Sequence, residues 1–318
     1  MYYEANVLKR RDVASLGAVE AAFREGPLAA ALRAAPSIER RCGLGADAFE
    51  REYRRGLRPV VMQGAAADWP AVREWSFERL AERCGDTRVV VDSYSSQRAR
   101  ETTFAEFVSL LNGNTGTGTV PLYLQEWYYQ EHCAQLAADL PELDIAQYDF
   151  RRELYGEAVS TNHQLWIGQK GGITRLHQDS YMVDVMHVQL VGAKRWSVLG
   201  PRANLPRTGD GRANFGRLVD HPDTELMQCV LEPGDVLYLP AQWFHRIELL
   251  EDSMGLGRKC LDPIHLQLHV RQRMAELLAI ALNAEEVKKT HPELFNVVMA
   301  RNRTWAGRMN IDLSKLRP

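Results

Sequence analysis

The chain of 318 residues has only five cysteines, Cys42, Cys84, Cys133, Cys229 and Cys260, and no two stand in Cys-x-x-Cys spacing. So odd and scattered a set argues against a zinc module or a disulfide framework. Neither sign of charge is in excess: Lys+Arg number 39, Asp+Glu 41, and the net charge is -2. A broad basic face for nucleic acid or membrane is not expected. No apolar run approaches the roughly 18 residues of a membrane span, and Met1-Tyr2-Tyr3-Glu4-Ala5-Asn6 lacks a charged start followed by an apolar run. These absences suit a reducing, cytoplasmic setting. The Gly-rich stretch 112–118 is not followed by the Lys-Ser/Thr of a phosphate loop. It reads as a connector. Internal repeats and low-complexity tracts are absent too.

What remains is ordinary for a globular protein, 45% hydrophobic and 25% charged, with material for one large or two modest domains. Residues 1–45 form an Ala- and Arg-rich helical segment. Helical patterns follow over Ala46–Tyr53, Phe77–Cys84, Thr103–Leu111 and Glu131–Leu140, with strands over Arg58–Met62, Arg88–Val91 and Pro121–Gln125. Pro141–Tyr155 reads as irregular.

From Gln164 the pattern turns to β. About eight short strands, with turn residues between them, predict a sandwich or barrel. The polar stretch 202–223 reads as an inserted loop near the mouth of the site. After Asp262-Pro263, an N-cap followed by Pro, Val270, Met274, Leu277, Leu278 and Ala281 recur at helical spacing. The domain reading is therefore 1–45, 46–262 and 263–318.

The chemistry is expected in Gly171-Gly172-Ile173-Thr174-Arg175-Leu176-His177-Gln178-Asp179. On a β-strand, with its period of two, His177 and Asp179 leave the same face. They supply two-thirds of a facial triad of two His and one carboxylate, which leaves open positions on non-haem Fe(II). A lone His-x-Asp is more often a surface ion pair or a satisfied core histidine. The second cassette changes this: a Pro233-Gly234-Asp235 turn, the apolar run Val236–Pro240, then Trp243-Phe244-His245. His245 is the expected third ligand, on a strand that folds back beside the first. His187 reads as structural.

With these residues in view, the chain resembles the JmjC/cupin-like Fe(II)- and 2-oxoglutarate-dependent oxygenases. The resemblance spans roughly Phe49–Arg271 and is strongest from Trp166 to Glu248. It implies a mainly β fold with helical flanks (α+β), a double-stranded β-helix or jelly-roll with the triad at its open end. It implies Fe(II) on His177, Asp179 and His245, with 2-oxoglutarate as co-substrate and O2 as oxidant. Lys194 matches the lysine that pairs with the far carboxylate of 2-oxoglutarate. Thr174 and Tyr123 match hydroxyls that reach the same group. A buried dianion needs such a cation and donors.

The segment from Asp179 to Lys194 is two residues longer than in the nearest pattern, that of an asparaginyl hydroxylase. A cofactor-binding asparagine therefore has no clear match, Val185 falling nearest. Arg258 stands roughly where the family has another cofactor-contacting asparagine. Its guanidinium could take 2-oxoglutarate in place of Lys194, or an acidic group of the substrate.

The substrate expected is a side chain in a protein or peptide, with a homodimer through the C-terminal helices. Hydroxylation of a small metabolite, a metallo-cupin without 2-oxoglutarate and a binding scaffold are the competing readings. Lys194 separates the first two from each other. An intact triad argues against the last.

Overall fold

A computed structural model describes residues 27–93, 99–113, 121–156, 163–179, 181–201, 225–282 and 288–289. Two sheets face each other. The larger has the order β1-β2-β11-β8-β13-β6-β5-β3-β4 and the smaller β10-β9-β12-β7. In chain order the strands are β1 (Arg40–Cys42), β2 (Val60–Gln63), β3 (Arg88–Ser93), β4 (Ala99–Thr103), β5 (Leu122–Trp127), β6 (Gln164–Gly168), β7 (Ile173–His177), β8 (Asp184–Val191), β9 (Lys194–Leu199), β10 (Leu226–Leu231), β11 (Val236–Leu239), β12 (Phe244–Leu249) and β13 (Ser253–Cys260). The double-stranded β-helix expected from the sequence is this pair of sheets.

Strand alternation builds two cores. On β11, Val236 and Tyr238 join the core behind the large sheet, and Leu237 and Leu239 join the one between the sheets. On β8, Met186, Val188 and Leu190 face outward and Val185 inward. The inner core is completed from the small sheet by Trp196, Val198, Leu231, Ile247 and Leu249. The outer core is closed by α2 (Ala46–Phe49), α3 (Pro70–Glu74), α4 (Phe77–Cys84), α5 (Phe104–Gly113) and α6 (Tyr129–His132), while α1 (Pro27–Ala34) packs on β10, and α7 (Arg151–Tyr155) and α8 (Leu266–Leu282) complete the helices. Phe49, Leu80, Phe104 and Phe107 carry their faces into this core.

Several expectations need correction. The helix expected over Glu131–Leu140 is broken: α6 ends at His132 and a 3-10 turn runs over Ala134–Asp139. The Ala46–Tyr53 helix passes into a wider π turn over Glu50–Arg54. There Arg54 bonds Glu50 on the same turn and Asp262, 208 residues on, tying this helix to the end of the barrel. Pro141–Tyr155 holds a 3-10 turn and α7. The scattered cysteines hide one cross-link, Cys84–Cys133, with Cα atoms 6.0 Å apart. Their separation of 49 residues carries no motif, so only the tertiary meeting of α4 with the segment after α6 reveals it.

The Asp262 N-cap is present, with Ile264 N–H donating to Oδ1 at 2.9 Å. The side chains of Leu277, Leu278 and Ala281 lie outside the described ones, as do most of stretch 112–118 and all of 202–223. No helix among the described residues is long and apolar enough to cross a membrane.

Candidate metal centre

His177 ends β7, and its Cα partner across the antiparallel pair with β12 is His245. The predicted return strand is thus β12. Asp179 lies two residues beyond the end of β7, so strand alternation is not what aims it. The segment is held instead by Gln178, whose side-chain amide donates to the Gln242 carbonyl at 2.6 Å. Gln242 itself has φ +70°, part of the tight turn that swings Trp243 and Phe244 into β12.

One ligand atom each from His177, Asp179 and His245 lies within 4.8 Å of the others. Among the described residues this is the one group of at least three His, Cys, Asp or Glu side chains so placed. His177 Nε2 stands 3.7 Å from Asp179 Oδ1, and the two imidazole centroids are 4.1 Å apart. Each ring is fixed from behind: Nδ1 of His177 pairs with the Arg175 carbonyl at 2.7 Å, and Nδ1 of His245 with the Trp243 carbonyl at 3.2 Å. A carbonyl takes a proton from Nδ1, which leaves the Nε2 lone pair for a metal. Trp196 stacks on the His245 ring at 5.6 Å and 26°.

Burial, and then His177, lower the His245 pKa to about 3, so the ring is neutral at physiological pH. Burial works against charge on Asp179, but Lys259 and then His177 hold its carboxyl well below the usual range. Two imidazoles and one carboxylate, convergent and largely shielded from solvent, fit a divalent ion.

The other expected residues gather beside the triad. Thr174 and Tyr123 are buried on facing walls, their hydroxyls 3.4 Å apart. Lys194 is wholly buried. Its Nζ donates to the Trp166 carbonyl at 3.2 Å and lies 5.9 Å from the Tyr123 ring centroid. Burial alone lowers its pKa to about 7. Trp166, Tyr123, Thr174, Val185 and His187 line the same cavity as the three ligands.

A buried ammonium with one carbonyl partner, beside two hydroxyls, fits the carboxylate of a dicarboxylic acid. His187 is a wall residue, its Nε2 3.3 Å from Gln189 Oε1 and its ring 5.0 Å from Trp196. Val185 presents no polar atom where the asparagine was sought.

Arg258 borders the cavity, but its guanidinium bonds Glu142. It sits across from Met186, on the outward register of β13, whereas Lys259 sits across from Val185, on the inward one. Lys259 is the residue that sequence reasoning missed: its Nζ lies 3.4 Å from Asp179 Oδ1 and 4.0 Å from Glu126 Oε1. Counting alternate positions along Gly255, Gly257 and Lys259 would have found it.

Residues 46–206 and 211–267 match the model of the cupin-like domain family. The chain belongs to that family. This cupin-like chain is 25% identical to "Lysine-specific demethylase JMJ21" of Arabidopsis thaliana, over 82% of its own length and 30% of the relative's. It is 22% identical to "Bifunctional peptidase and (3S)-lysyl hydroxylase JMJD7" of Homo sapiens, over 66% of its length and 79% of that protein's. It is 24% identical to "2-oxoglutarate and iron-dependent oxygenase JMJD4" of Gallus gallus, over 76% and 63% respectively. Against the first two curated relatives the cupin-like chain spans 30% and 54% of their lengths.

Proposed function

We propose that this cupin-like chain is an Fe(II)- and 2-oxoglutarate-dependent oxygenase that hydroxylates a side chain in a protein or peptide. The observation that carries the reading is a three-ligand set in a cavity walled by Tyr123, Trp166 and Thr174, with the wholly buried Lys194 beside that wall, bonded to the Trp166 carbonyl. A metallo-cupin that does not use 2-oxoglutarate has no need of that ammonium. Iron with the oxo-acid activates O2 for insertion into a C–H bond, releasing succinate and CO2.

The chain's own residues bind and orient. His177, Asp179 and His245 would hold the metal at the wall of the cavity that they line. Lys194, Thr174 and Tyr123 receive the far carboxylate, and Trp196 shields the inner wall. Arg258 stands as an alternative anchor, provided that it leaves Glu142. Names given to relatives, lysine and arginine demethylases and a lysyl hydroxylase, support a polypeptide substrate. Hydroxylation and demethylation share this ligand set. A cytoplasmic setting, action away from nucleic acid and membrane, and the division at 45 and 262 belong to the same proposal.

A homodimer through the C-terminal segment belongs to it too, supported by Ile264 at 74% and Leu268 at 45% exposure. The test of function is anaerobic titration of Fe(II) and 2-oxoglutarate, followed by a peptide screen for succinate release. A visible charge-transfer band that His177→Ala removes is the expected result. A protein that takes zinc and shows no band with Fe(II) would overturn the reading.

A further inference from the structure

The inward face of β13 carries Gly255, Gly257 and Lys259 at alternate positions. The glycines let other side chains approach the strand closely: His187 and Lys194 come up against Gly255, and Trp166 against Gly257. The one inward side chain of this set, Lys259, ends at Asp179. Lys194 and Lys259 thus mark opposite ends of one strand face: Gly255 abuts Lys194, and Lys259 stands four residues on, roughly 13 Å along the strand. Lys194 is wholly buried, while the Lys259 side chain is 30% exposed. The first is the closed end and the second the mouth.

Lys259 relies on Asp179 for its charge partner, and a metal would change that. A divalent ion held by Asp179, His177 and His245 would take up the carboxylate's charge. Lys259 then keeps only its longer ion pair with Glu126, at 4.0 Å and without a hydrogen bond, so its N–H donors are open to a further acceptor. A buried or half-buried ammonium in that state favours an incoming anion and opposes an incoming cation. Arg258 does not share the task, because its guanidinium is bonded to Glu142.

We propose that Lys259 is a specificity-determining residue: it selects a substrate whose reacting residue carries a carboxylate, and it excludes lysine and arginine side chains. This rests on the oxygenase reading above and sets the chain apart from relatives named for lysine or arginine. The proposed function puts the co-substrate's far carboxylate at Lys194, at the other end of the strand face, so an anion met by Lys259 would come from the substrate. The contact is a charge-assisted one, whose loss weakens binding about ten- to hundredfold.

The test uses the full chain loaded with Mn(II) and 2-oxoglutarate, which supports binding without turnover. Three pools of ten-residue peptides, randomised except for a central Asp, Asn or Lys, are compared for retention. The wild type is expected to retain the Asp pool at least tenfold better than the Lys pool. Lys259→Met abolishes the difference, Lys259→Arg preserves it and Lys259→Glu reverses it.

Equal retention of the Asp and Lys pools by the wild type, or an unchanged Asp preference in Lys259→Met, overturns the proposal. Binding of Mn(II) and 2-oxoglutarate is measured first on every variant, with melting as the check on folding. Failure of the wild type at that step refutes the oxygenase reading. Success there with indifferent pools refutes only the role of Lys259.

Discussion

His177 and His245 are Cα partners across β7 and β12, and their rings meet at 4.1 Å. The same sheet pairing that closes the small sheet therefore assembles two of the three ligands. The third is added by a loop pinned to the turn before β12, through Gln178 and Gln242. Metal affinity is for this reason coupled to the integrity of one strand pair.

His245→Ala should lower Co(II) or Fe(II) affinity by more than about a hundredfold, the upper range seen when even an outer partner of a ligand is lost. The substitution also leaves a small cavity against Trp196, so circular dichroism and melting must accompany the titration. An anaerobic Co(II) spectrum identical to that of the wild type would remove His245 from the site.

Lys194 links the site to stability. Burial lowers its pKa from the ordinary 10.5 to about 7. Between those values the unfolded chain holds a proton that the folded chain has released. Stability therefore rises with pH across the window, by roughly 1.4 kcal/mol per unit of full shift at most. The metal-free protein should melt higher at pH 9 than at pH 7.5. Lys194→Met should remove most of that slope, and bound 2-oxoglutarate should flatten it by restoring a partner to the charge. Parallel melting curves for wild type and Lys194→Met would show that this lysine is not the source.

How much of this was legible beforehand varies by residue. β9, β10, β11 and β12 fall in the stretch read as β, because short apolar runs are bounded there by turn residues; β11 buries both of its faces. β1 and β4 were missed. Arg40–Cys42 and Ala99–Thr103 are polar strands at the two edges of the large sheet, where partner pairing rather than side-chain burial makes the strand.

In the site, His177, Asp179 and His245 announced themselves by spacing and cassette. Lys194 came through likeness to a family. Lys259 was hidden because a lysine near a strand end reads as solvated surface. Only the alternation of β13 together with the position of Asp179 turns it inward. Arg258, one residue away, drew the attention for its charge and is bonded to Glu142.

The Cys84–Cys133 link is buried, at 4% and 1% exposure, and spans 49 residues. Peptide mapping of the oxidised protein without reductant should recover the two cysteines in one cross-linked fragment. Reduction, or Cys133→Ser, should cost about 2–4 kcal/mol of stability, read as a lower melting temperature, with metal binding retained because α4 and α6 lie behind the large sheet. An unchanged melting temperature after verified reduction would leave the link without a structural role.

The last prediction concerns a residue with no side chain. A Cβ added to Gly255 would lie 2.4 Å from His187 Nε2 and 3.0 Å from Lys194 Nζ. With His187 Cε1 also at 2.5 Å, the ring or the β13 backbone must shift, and the Lys194 ammonium beside it must give way too. His187 is packed on Trp196 and bonded to Gln189. Gln189 in turn donates to the carbonyls of Val191, Gly192 and Met254. The ring is therefore braced, which makes its shift costly, and that shift also crowds Lys194, anchored by a single carbonyl at the end of a flexible chain. Gly255→Ala should displace the ammonium and lower 2-oxoglutarate affinity about tenfold or more, with the overpacking itself costing about 1–3 kcal/mol. Metal binding should survive, because none of the ligands is among the atoms nearest to that Cβ. Gly45→Ala, where nothing lies within 4 Å, serves as the neutral comparison. Titration of 2-oxoglutarate into the Mn(II)-loaded variants reads the effect. Equal affinity in Gly255→Ala and wild type would mean that Lys194 is not the group that receives the far carboxylate.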